Sequence, residues 1–174
     1  MIILIIGNSC CGKTYLSKNI AKIKKFPLFH TDEIWYKSGG YTPEFQRTKK
    51  ERDQIVKNIM KNKSYVIEGA SITLGRIFVK EATHLILINY QWKVCKASIF
   101  TRKLDCGRPS PIEERNSLLK WAEKYYERTE KNIASFKNHK ELFDDFKKTK
   151  YRLDSREEAN QLCTKFDDIK IEFN

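Results

Sequence analysis

The residues best suited to chemistry form one short string near the beginning of the chain. Residues 7–14 fit the pattern G-x-x-x-x-G-K-[ST]. In this pattern backbone N–H groups converge on phosphate oxygens, and the N-terminus of the following helix adds positive potential. Lys13 would bridge the β- and γ-phosphates, and Thr14 would offer its hydroxyl to Mg²⁺. The predicted nucleotide-binding residues are therefore Gly7, Asn8, Ser9, Cys10, Cys11, Gly12, Lys13 and Thr14.

A second group of polar residues follows two further predicted strands. Asp32 comes after the second strand, and Glu68-Gly69 ends the third. The carboxyl ends of parallel strands meet at one sheet edge, where open α/β sheets bind ligands. Asp32 would accept a proton from an acceptor hydroxyl or hold Mg²⁺ through water, and Glu68 would coordinate Mg²⁺ through water or contact the acceptor. Alternatively, Asp32 or Thr31 caps a short helix, and Glu68 is a turn residue.

Two more residues are candidates for holding the acceptor. Trp35 would stack on a planar acceptor, although large aromatic side chains more often simply pack. Arg76 follows Gly75 in a segment where an acceptor phosphate would fit. The predicted acceptor site thus combines these two side chains with those at the strand ends.

Three arginines surround a break in the helical pattern at residues 105–109. They are Arg102, Arg108 and Arg115. Mobile arginines stabilise the charge that spreads over a transferred phosphoryl group when a lid closes. We therefore predict Arg102 and Arg108 as catalytic and Arg115 as acceptor-binding. The alternative for each is a solvated helix face.

These residues need a scaffold of alternating strands and helices. Short apolar runs predict strands at residues 1–6, 26–29, 64–68, 83–89 and 151–153. Helical spacing and capping signals predict helices at 13–24, 42–62, 91–104, 110–136 and 140–146, and from 155 onward, with a loop over 30–41. The alternation predicts an α/β protein with a parallel sheet.

Composition narrows the class of protein further. The chain has 174 residues and a formal net charge of +12, with the excess on residues 22–63 and 93–156. This charge predicts an anionic partner without saying which one. No apolar run approaches the roughly 18 residues of a membrane span, and the first residues do not form a signal peptide. We therefore expect a cytoplasmic protein with reduced cysteines and no membrane association.

The motifs together resemble those of the adenylate-kinase-like P-loop kinases. The resemblance rests on the phosphate loop, F-H-T-D-E-I-W-Y after the second strand, Y-V-I-E-G at the third, and R-x-x-x-x-G-R before a long helix. Within these kinases the chain is most similar to the subgroup called DNA topology modulation proteins. The resemblance implies a three-layer fold whose five-stranded parallel sheet has the order 2-3-1-4-5.

The resemblance also implies roles for parts of the chain. Residues 1–174 would form one domain, with an acceptor-binding arm at about 32–63 and a small helical lid at about 102–116. Arg102 would stack on the donor adenine, Arg108 would contact phosphates, and Arg156 would border the adenine.

Two functions follow from these observations. The first is a phosphotransferase that moves the γ-phosphoryl group of Mg·ATP to a nucleotide, a nucleoside or another small acceptor. Its catalytic residues would be Lys13, Asp32, Arg102 and Arg108, and its metal-binding residues Thr14, Asp32 and Glu68. The second is a nucleic-acid-binding regulator that uses ATP as a switch, although no helix-turn-helix, RNP or zinc pattern occurs.

Overall fold

Five parallel strands form the sheet at the centre of the molecule. The computed structural model describes residues 1–38, 40–101 and 111–168. The strands are β1 (Ile2–Gly7), β2 (Leu28–His30), β3 (Tyr65–Gly69), β4 (His84–Ile88) and β5 (Thr149–Leu153). They lie in the order β2-β3-β1-β4-β5, and every neighbouring pair is parallel. The predicted fold class and strand order are confirmed.

Helices cover both faces of this sheet. They are α1 (Lys13–Lys24), α2 (Thr31–Trp35), α3 (Lys49–Ile59), α4 (Ile72–Phe78), α5 (Trp92–Thr101), α6 (Ile112–Glu123), α7 (Phe136–Asp145) and α8 (Arg156–Asp168). Short 3₁₀ turns lie at Pro43–Phe45 and Lys124–Tyr126. Core residues from α1, α5 and α8 pack on one face, and core residues from α3 and α4 pack on the other.

The central strand explains why the first residues are apolar without interruption. Ile3 and Ile5 belong to the core on the α1 side, whereas Leu4 and Ile6 belong to the core on the opposite side. Side chains alternate across a strand, so a strand covered on both faces needs apolar residues at every position. Each such buried side chain contributes about 1.5–3 kcal/mol.

The helix predicted from Thr42-Pro43 is wrong in its start. Those residues begin only a 3₁₀ turn, and α3 begins at Lys49. Thr48 is the N-cap: its Oγ1 accepts a hydrogen bond from the Glu51 backbone N–H, and the Glu51 carboxylate accepts one from the Thr48 N–H at 2.7 Å. This reciprocal capping box marks the start of α3, whereas the Thr42 side chain makes no capping hydrogen bond.

The helix predicted to run to Phe136 is also wrong. It ends at Glu123, and α7 begins at Phe136, with Ser135 Oγ accepting the Asn138 N–H. Asn138, where a break was predicted, therefore lies in the first turn of α7.

The capping box predicted around Ser155 is confirmed at the start of α8, where Ser155 Oγ accepts the Glu158 N–H at 3.2 Å. Ser110, the cap predicted for α6, lies outside the described residues.

Two short helices lie where the sequence pattern predicted no helix. They are α2 and α4, with five and seven residues. Elements this short show too few turns for helical periodicity to appear in the sequence. Both lie directly after strands that end at the predicted site, so they shape its walls. In the described part of the chain, no helix is both long and apolar enough to cross a membrane.

Candidate active site

The phosphate loop connects β1 to α1, as the motif requires. Gly7 has φ 152°, and a β-carbon there would lie 2.5 Å from the carbonyl oxygen of Ile88. Gly12 directly precedes α1 with φ 94°. Backbone angles of this kind are accessible to glycine and strained for other residues. The two glycines of the motif therefore serve the close approach of the loop to β4 and the turn into α1.

Lys13 lies buried beneath this loop. Its Nζ donates a hydrogen bond to the Asn8 carbonyl oxygen at 2.7 Å, and only 8% of the residue is exposed. Burial by itself would lower the pKa of Lys13, but nearby anionic groups, among them the carboxylates of Glu68 and Asp32, raise it above its ordinary value. Burial also raises the pKa of the Cys11 thiol, which is therefore neutral at pH 7. The two carboxylates thus keep the Lys13 ammonium charged.

The Glu68 carboxylate joins three elements at the edge of the sheet. Its Oε1 accepts a hydrogen bond from Thr14 Oγ1 at 2.8 Å and one from His30 Nδ1 at 2.8 Å. Burial favours the neutral acid, but these two donors and the charge of Lys13 hold the pKa of Glu68 below its ordinary value. Glu68 is therefore an ionised carboxylate, and it lies against the hydroxyl of the phosphate loop.

His30 is the residue of this cluster that sequence reasoning missed. It is the last residue of β2, and it pairs in register with Glu68 of β3. The hydrogen bond to Glu68 raises the pKa of His30 above its ordinary value. The predicted second strand ended at residue 29, which left His30 in a loop. The available signal was its position directly after the apolar pair Leu28-Phe29 of the strand and two residues before Asp32.

Asp32 lies in the first turn of α2 and is exposed to solvent. The N-cap of that helix is His30, so neither Asp32 nor Thr31 is the capping residue that the alternative interpretation required. Asp32 raises the pKa of Lys13, as an anion close to the ammonium does. Asp32 thus lies near the phosphate-loop lysine, and the acceptor role predicted for it stays a prediction.

Gly69 provides space for Thr31 rather than a special backbone angle. A β-carbon at Gly69 would overlap Thr31 Oγ1 and would lie 2.7 Å and 2.9 Å from its Cβ and Cγ2. Thr31 is almost fully buried, at 1% exposed. The end of β3 and the start of α2 can therefore pack together only if residue 69 has no side chain.

We expect Gly69→Ala to lower the free energy of unfolding by about 1–3 kcal/mol, because overpacking at a rigid contact forces the backbone apart. Gly75→Ala in α4 is the matched control. A β-carbon there would lie 3.3 Å from Leu142 Cδ2 and 4.0 Å from Ile6 Cγ2, both tips of flexible side chains, and alanine raises helix propensity by up to about 1 kcal/mol. Urea unfolding of both variants measures the difference. Equal stability of the two variants would contradict the role of Thr31.

Trp35 ends α2 and is held by two contacts. Its Nε1 donates a hydrogen bond to Ser71 Oγ at 2.8 Å, and the Arg52 guanidinium lies 4.1 Å from the ring centroid. Arg52 therefore covers one face of the indole in a cation–π contact. The structure gives Trp35 a packing role between α2, α3 and α4. Stacking of an acceptor on this ring remains a prediction.

Two of the predicted arginines make contacts within the protein. Arg76 Nη1 donates to Asn132 Oδ1 at 2.7 Å. Arg115 Nη1 donates to the Phe100 carbonyl oxygen at 3.5 Å, which links the ends of α5 and α6. Neither contact places the guanidinium beside Lys13 or Glu68, so the acceptor role of both residues stays a prediction. Arg102 and Arg108 lie outside the described residues, as does most of the predicted lid.

Arg156 borders an open groove of about 450 Å³ beside the phosphate loop. Its Nη2 donates to Ser98 Oγ at 3.0 Å, which connects the start of α8 to α5. The groove is lined by residues that follow β4 and β5, namely Tyr90, Gln91, Lys93, Val94, Ala97, Asp154, Ser155 and Arg156. Tyr90 also lies against Gly12. One lining residue of the groove, Tyr90, therefore contacts the phosphate loop, and the predicted role of Arg156 beside the adenine stays a prediction.

The side chain of Asn8 makes hydrogen bonds within the protein. The Nδ2 group donates to the Ala122 carbonyl oxygen at 3.0 Å, and the Oδ1 atom accepts from the Ser9 N–H at 2.7 Å. Nearby, the Tyr126 hydroxyl donates to the Tyr90 carbonyl oxygen at 3.0 Å. The side chain of Asn8 thus links the end of α6 to the phosphate loop, and phosphate binding by the backbone N–H of this residue stays a prediction.

Two possible oxygen ligands for a metal, Thr14 and Glu68, lie at the carboxyl edge of the sheet. They suit a magnesium ion that arrives with a nucleotide. Thr14 donates its single hydrogen to Glu68, so its lone pairs remain available. Among the described residues, no group of three or more His, Cys, Asp and Glu side chains is placed to hold a metal by itself. Mg²⁺ usually keeps several waters and binds through one or two protein oxygens plus substrate phosphates. Thr14 and Glu68, as two protein oxygen ligands, fit this way of binding Mg²⁺.

Comparisons with known proteins identify the fold. No family model and no curated protein sequence matches the chain. Shikimate kinase from Acinetobacter baumannii, in complex with shikimate, is 18% identical, with a TM-score of 0.56 over 94% of this chain and 89% of that one. Shikimate kinase from Aquifex aeolicus is 16% identical, with a TM-score of 0.52 over 95% and 93%. A gluconokinase from Sinorhizobium meliloti is 13% identical, with a TM-score of 0.52 over 94% and 87%.

These similarities extend over nearly the whole length of each chain. At such low identity they establish the architecture and leave the acceptor open. The narrower resemblance to DNA topology modulation proteins stays a prediction. The chain thus has the α/β fold of the small P-loop kinases.

Proposed function

We propose that this protein is an ATP-dependent kinase that transfers the γ-phosphoryl group to a small-molecule acceptor. One observation carries the proposal. The Lys13 ammonium, the Thr14 hydroxyl and the ionised Glu68 carboxylate meet at the carboxyl edge of the sheet, directly beneath the phosphate loop. The similarity of the fold to shikimate kinase and gluconokinase supports the same reaction class.

The chemistry assigned to these residues is mainly electrostatic. The transition state of phosphoryl transfer spreads negative charge over the phosphoryl oxygens, and Lys13 neutralises part of it. Asp32 accepts the proton of the acceptor hydroxyl as that oxygen bonds to the γ-phosphorus. The bond from the γ-phosphorus to the bridging oxygen breaks, and ADP leaves. Arg102 and Arg108 are proposed to close over the transferred group.

Thr14 and Glu68 would hold Mg²⁺, Thr14 directly and Glu68 through water, with Asp32 as a further water-mediated contact. When bound, the ion supplies neutralisation of charge on the β- and γ-phosphates. The groove beside Arg156 would receive the base of the nucleotide. Glu68, Gly69, Trp35, Arg76 and Arg115 would surround the acceptor, which we propose to be a nucleotide, a nucleoside or a small metabolite.

A panel of acceptors tests this proposal. The protein is incubated with Mg·ATP and, separately, nucleoside monophosphates, nucleosides, shikimate, gluconate and other hydroxyl-bearing metabolites, and ADP release is measured. Lys13→Met serves as the blank. We expect ADP release that depends on one acceptor class and is absent from the blank.

The opposite result is equally clear. Absence of turnover with every acceptor, together with salt-sensitive binding of duplex DNA that is unchanged in Lys13→Met, would replace the kinase by a nucleic-acid-binding protein. The same panel run with GTP in place of ATP determines the preferred donor.

A further inference from the structure

His30 belongs to the site but has no role in the chemistry assigned above. It occupies the end of β2, and its side chain is 24% exposed, whereas that of its partner Glu68 is 7% exposed. The distance from His30 Nδ1 to Glu68 Oε1 is 2.8 Å. Because the carboxylate oxygen can only accept, Nδ1 must carry the hydrogen of this bond. The imidazole therefore donates to Glu68 from the strand next to it.

The same oxygen of Glu68 also receives the hydroxyl hydrogen of Thr14, at 2.8 Å. A threonine hydroxyl has one hydrogen and two lone pairs. Once the hydrogen points at Glu68, the lone pairs point elsewhere. The direction of the Thr14 lone pairs therefore depends on where Glu68 Oε1 lies, and that position depends on the donor that holds it from the other side.

Three separate elements contribute to this chain of hydrogen bonds. His30 is in β2, Glu68 is in β3 and Thr14 is in the first turn of α1. The strand pairing places His30 directly opposite Glu68, so the imidazole reaches the carboxylate without a backbone distortion. A buried carboxylate with only one donor would rotate to find another partner, since an unsatisfied charged oxygen is costly to bury. The hydrogen bond from the His30 imidazole prevents this rotation of the Glu68 carboxylate.

We propose that His30 is a positioning residue for metal-supported nucleotide binding: its Nδ1–H fixes Glu68 Oε1, which in turn aims the Thr14 lone pairs at the Mg²⁺ that accompanies the nucleotide phosphates. This inference rests on the proposed function. His30 itself touches neither the ion nor the phosphates. Groups that orient the ligands of a metal in this way typically contribute about 10- to 100-fold to its affinity.

The experiment measures binding rather than turnover. The dissociation constant of a fluorescent ATP analogue is determined by titration with excess Mg²⁺ and again with EDTA, for the wild-type protein, His30→Ala and His30→Asn. We expect His30→Ala to weaken binding about tenfold or more in Mg²⁺ and by less than about twofold in EDTA. His30→Asn should recover most of the loss, because its amide nitrogen lies close to the place of Nδ1. His84→Asn is the matched control and should bind as the wild type does. His84 is the first residue of β4 and lies at the edge of the sheet away from the site.

Several results would overturn the inference. Equal binding by wild type and His30→Ala in Mg²⁺ excludes the positioning role. Equal weakening with and without the ion assigns His30 a structural role instead. If His30→Ala does not fold, as judged by circular dichroism, His30→Gln replaces it, because its amide extends beyond the place of Nδ1 and should show the same metal-dependent loss. A wild-type protein that binds no nucleotide overturns the proposed function itself, which the wild-type titration shows independently of any variant.

Discussion

Replacing Lys13 by methionine is expected to reduce phosphoryl transfer by roughly a thousandfold, the loss seen when a preorganised charge-stabilising donor is removed from an active site. Lys13 is buried, charged and hydrogen-bonded to the loop that would hold the phosphates. Methionine has a similar length and no charge. The variant therefore removes the ammonium while still filling the space beneath the loop.

The fold should survive this substitution. Removing the ammonium relieves the cost of burying it but leaves the buried Glu68 carboxylate without that counter-charge. The hydrogen bonds that Glu68 accepts from Thr14 and His30 remain and stabilise the carboxylate. Steady-state turnover and thermal unfolding should be measured together, with Lys18→Met on the exposed side of α1 as the matched control. Full turnover by Lys13→Met with the best acceptor would contradict the proposed mechanism. Loss of turnover together with a collapse of stability would show that Lys13 is structural.

Acid is expected to destabilise the protein through His139. This side chain is fully buried, and its Nε2 lies 3.1 Å from the Ala70 carbonyl oxygen, while its Nδ1 lies 2.7 Å from the Tyr125 hydroxyl. The carbonyl can only accept, so Nε2 carries the hydrogen and Nδ1 accepts from the tyrosine. The imidazole is thus neutral with both nitrogens paired. Burial, together with the charge of Lys13, lowers the pKa of His139 to about 3.

The direction of the pH effect follows from the proton count of the two states. Below the ordinary histidine pKa of 6.5, the unfolded chain binds a proton at residue 139 that the folded chain does not bind until about pH 3. The free energy of unfolding therefore falls as the pH drops through this window, and the effect is absent above it. At pH 4 the loss amounts to roughly 3 kcal/mol, at about 1.4 kcal/mol for each pH unit.

Urea unfolding at pH 7 and pH 4 tests this expectation. The comparison is between the wild-type protein and the double variant Tyr125→Phe/His139→Gln, which lacks the titrating group and leaves no tyrosine hydroxyl unpaired. The double variant should lose roughly 3 kcal/mol less between the two pH values, because the carboxylates contribute alike to both proteins. Tyr125→Phe alone retains the histidine and should keep the acid sensitivity. Equal losses in all three proteins would exclude His139 as the cause.

Local sequence was sufficient wherever a structural requirement is satisfied by neighbours in the chain. The phosphate loop needs glycines at two fixed positions, a lysine and a hydroxyl within eight residues, and all of them are adjacent in sequence. The bounds of α1 were predicted correctly because apolar spacing and the loop before it are both local. The capping box of α8 spans four residues, and it too was predicted.

Local sequence was misleading where two signals competed for one boundary. Thr42-Pro43 and Thr48 both offer a hydroxyl before a helical stretch, and Thr48 forms the box because Glu51 stands three residues later. The helix predicted over residues 110–136 spans α6, the 3₁₀ turn at Lys124–Tyr126, a non-helical stretch and only the first residue of α7. A periodic pattern does not show that the chain turns between them. Only packing against the sheet separates the two.

The sequence by itself determined the fold class and the position of the phosphate loop between β1 and α1, because uninterrupted apolar strands and the loop motif act over a few residues. The tertiary structure alone decided which side chains meet there. His30 reaches Glu68 across 38 residues, and His139 reaches Ala70 across 69. Such contacts depend on strand order, register and helix packing, which no short window of sequence contains. The need for glycine at position 69 likewise arises from Thr31, a buried side chain on a different element. It occupies the space where a β-carbon would lie.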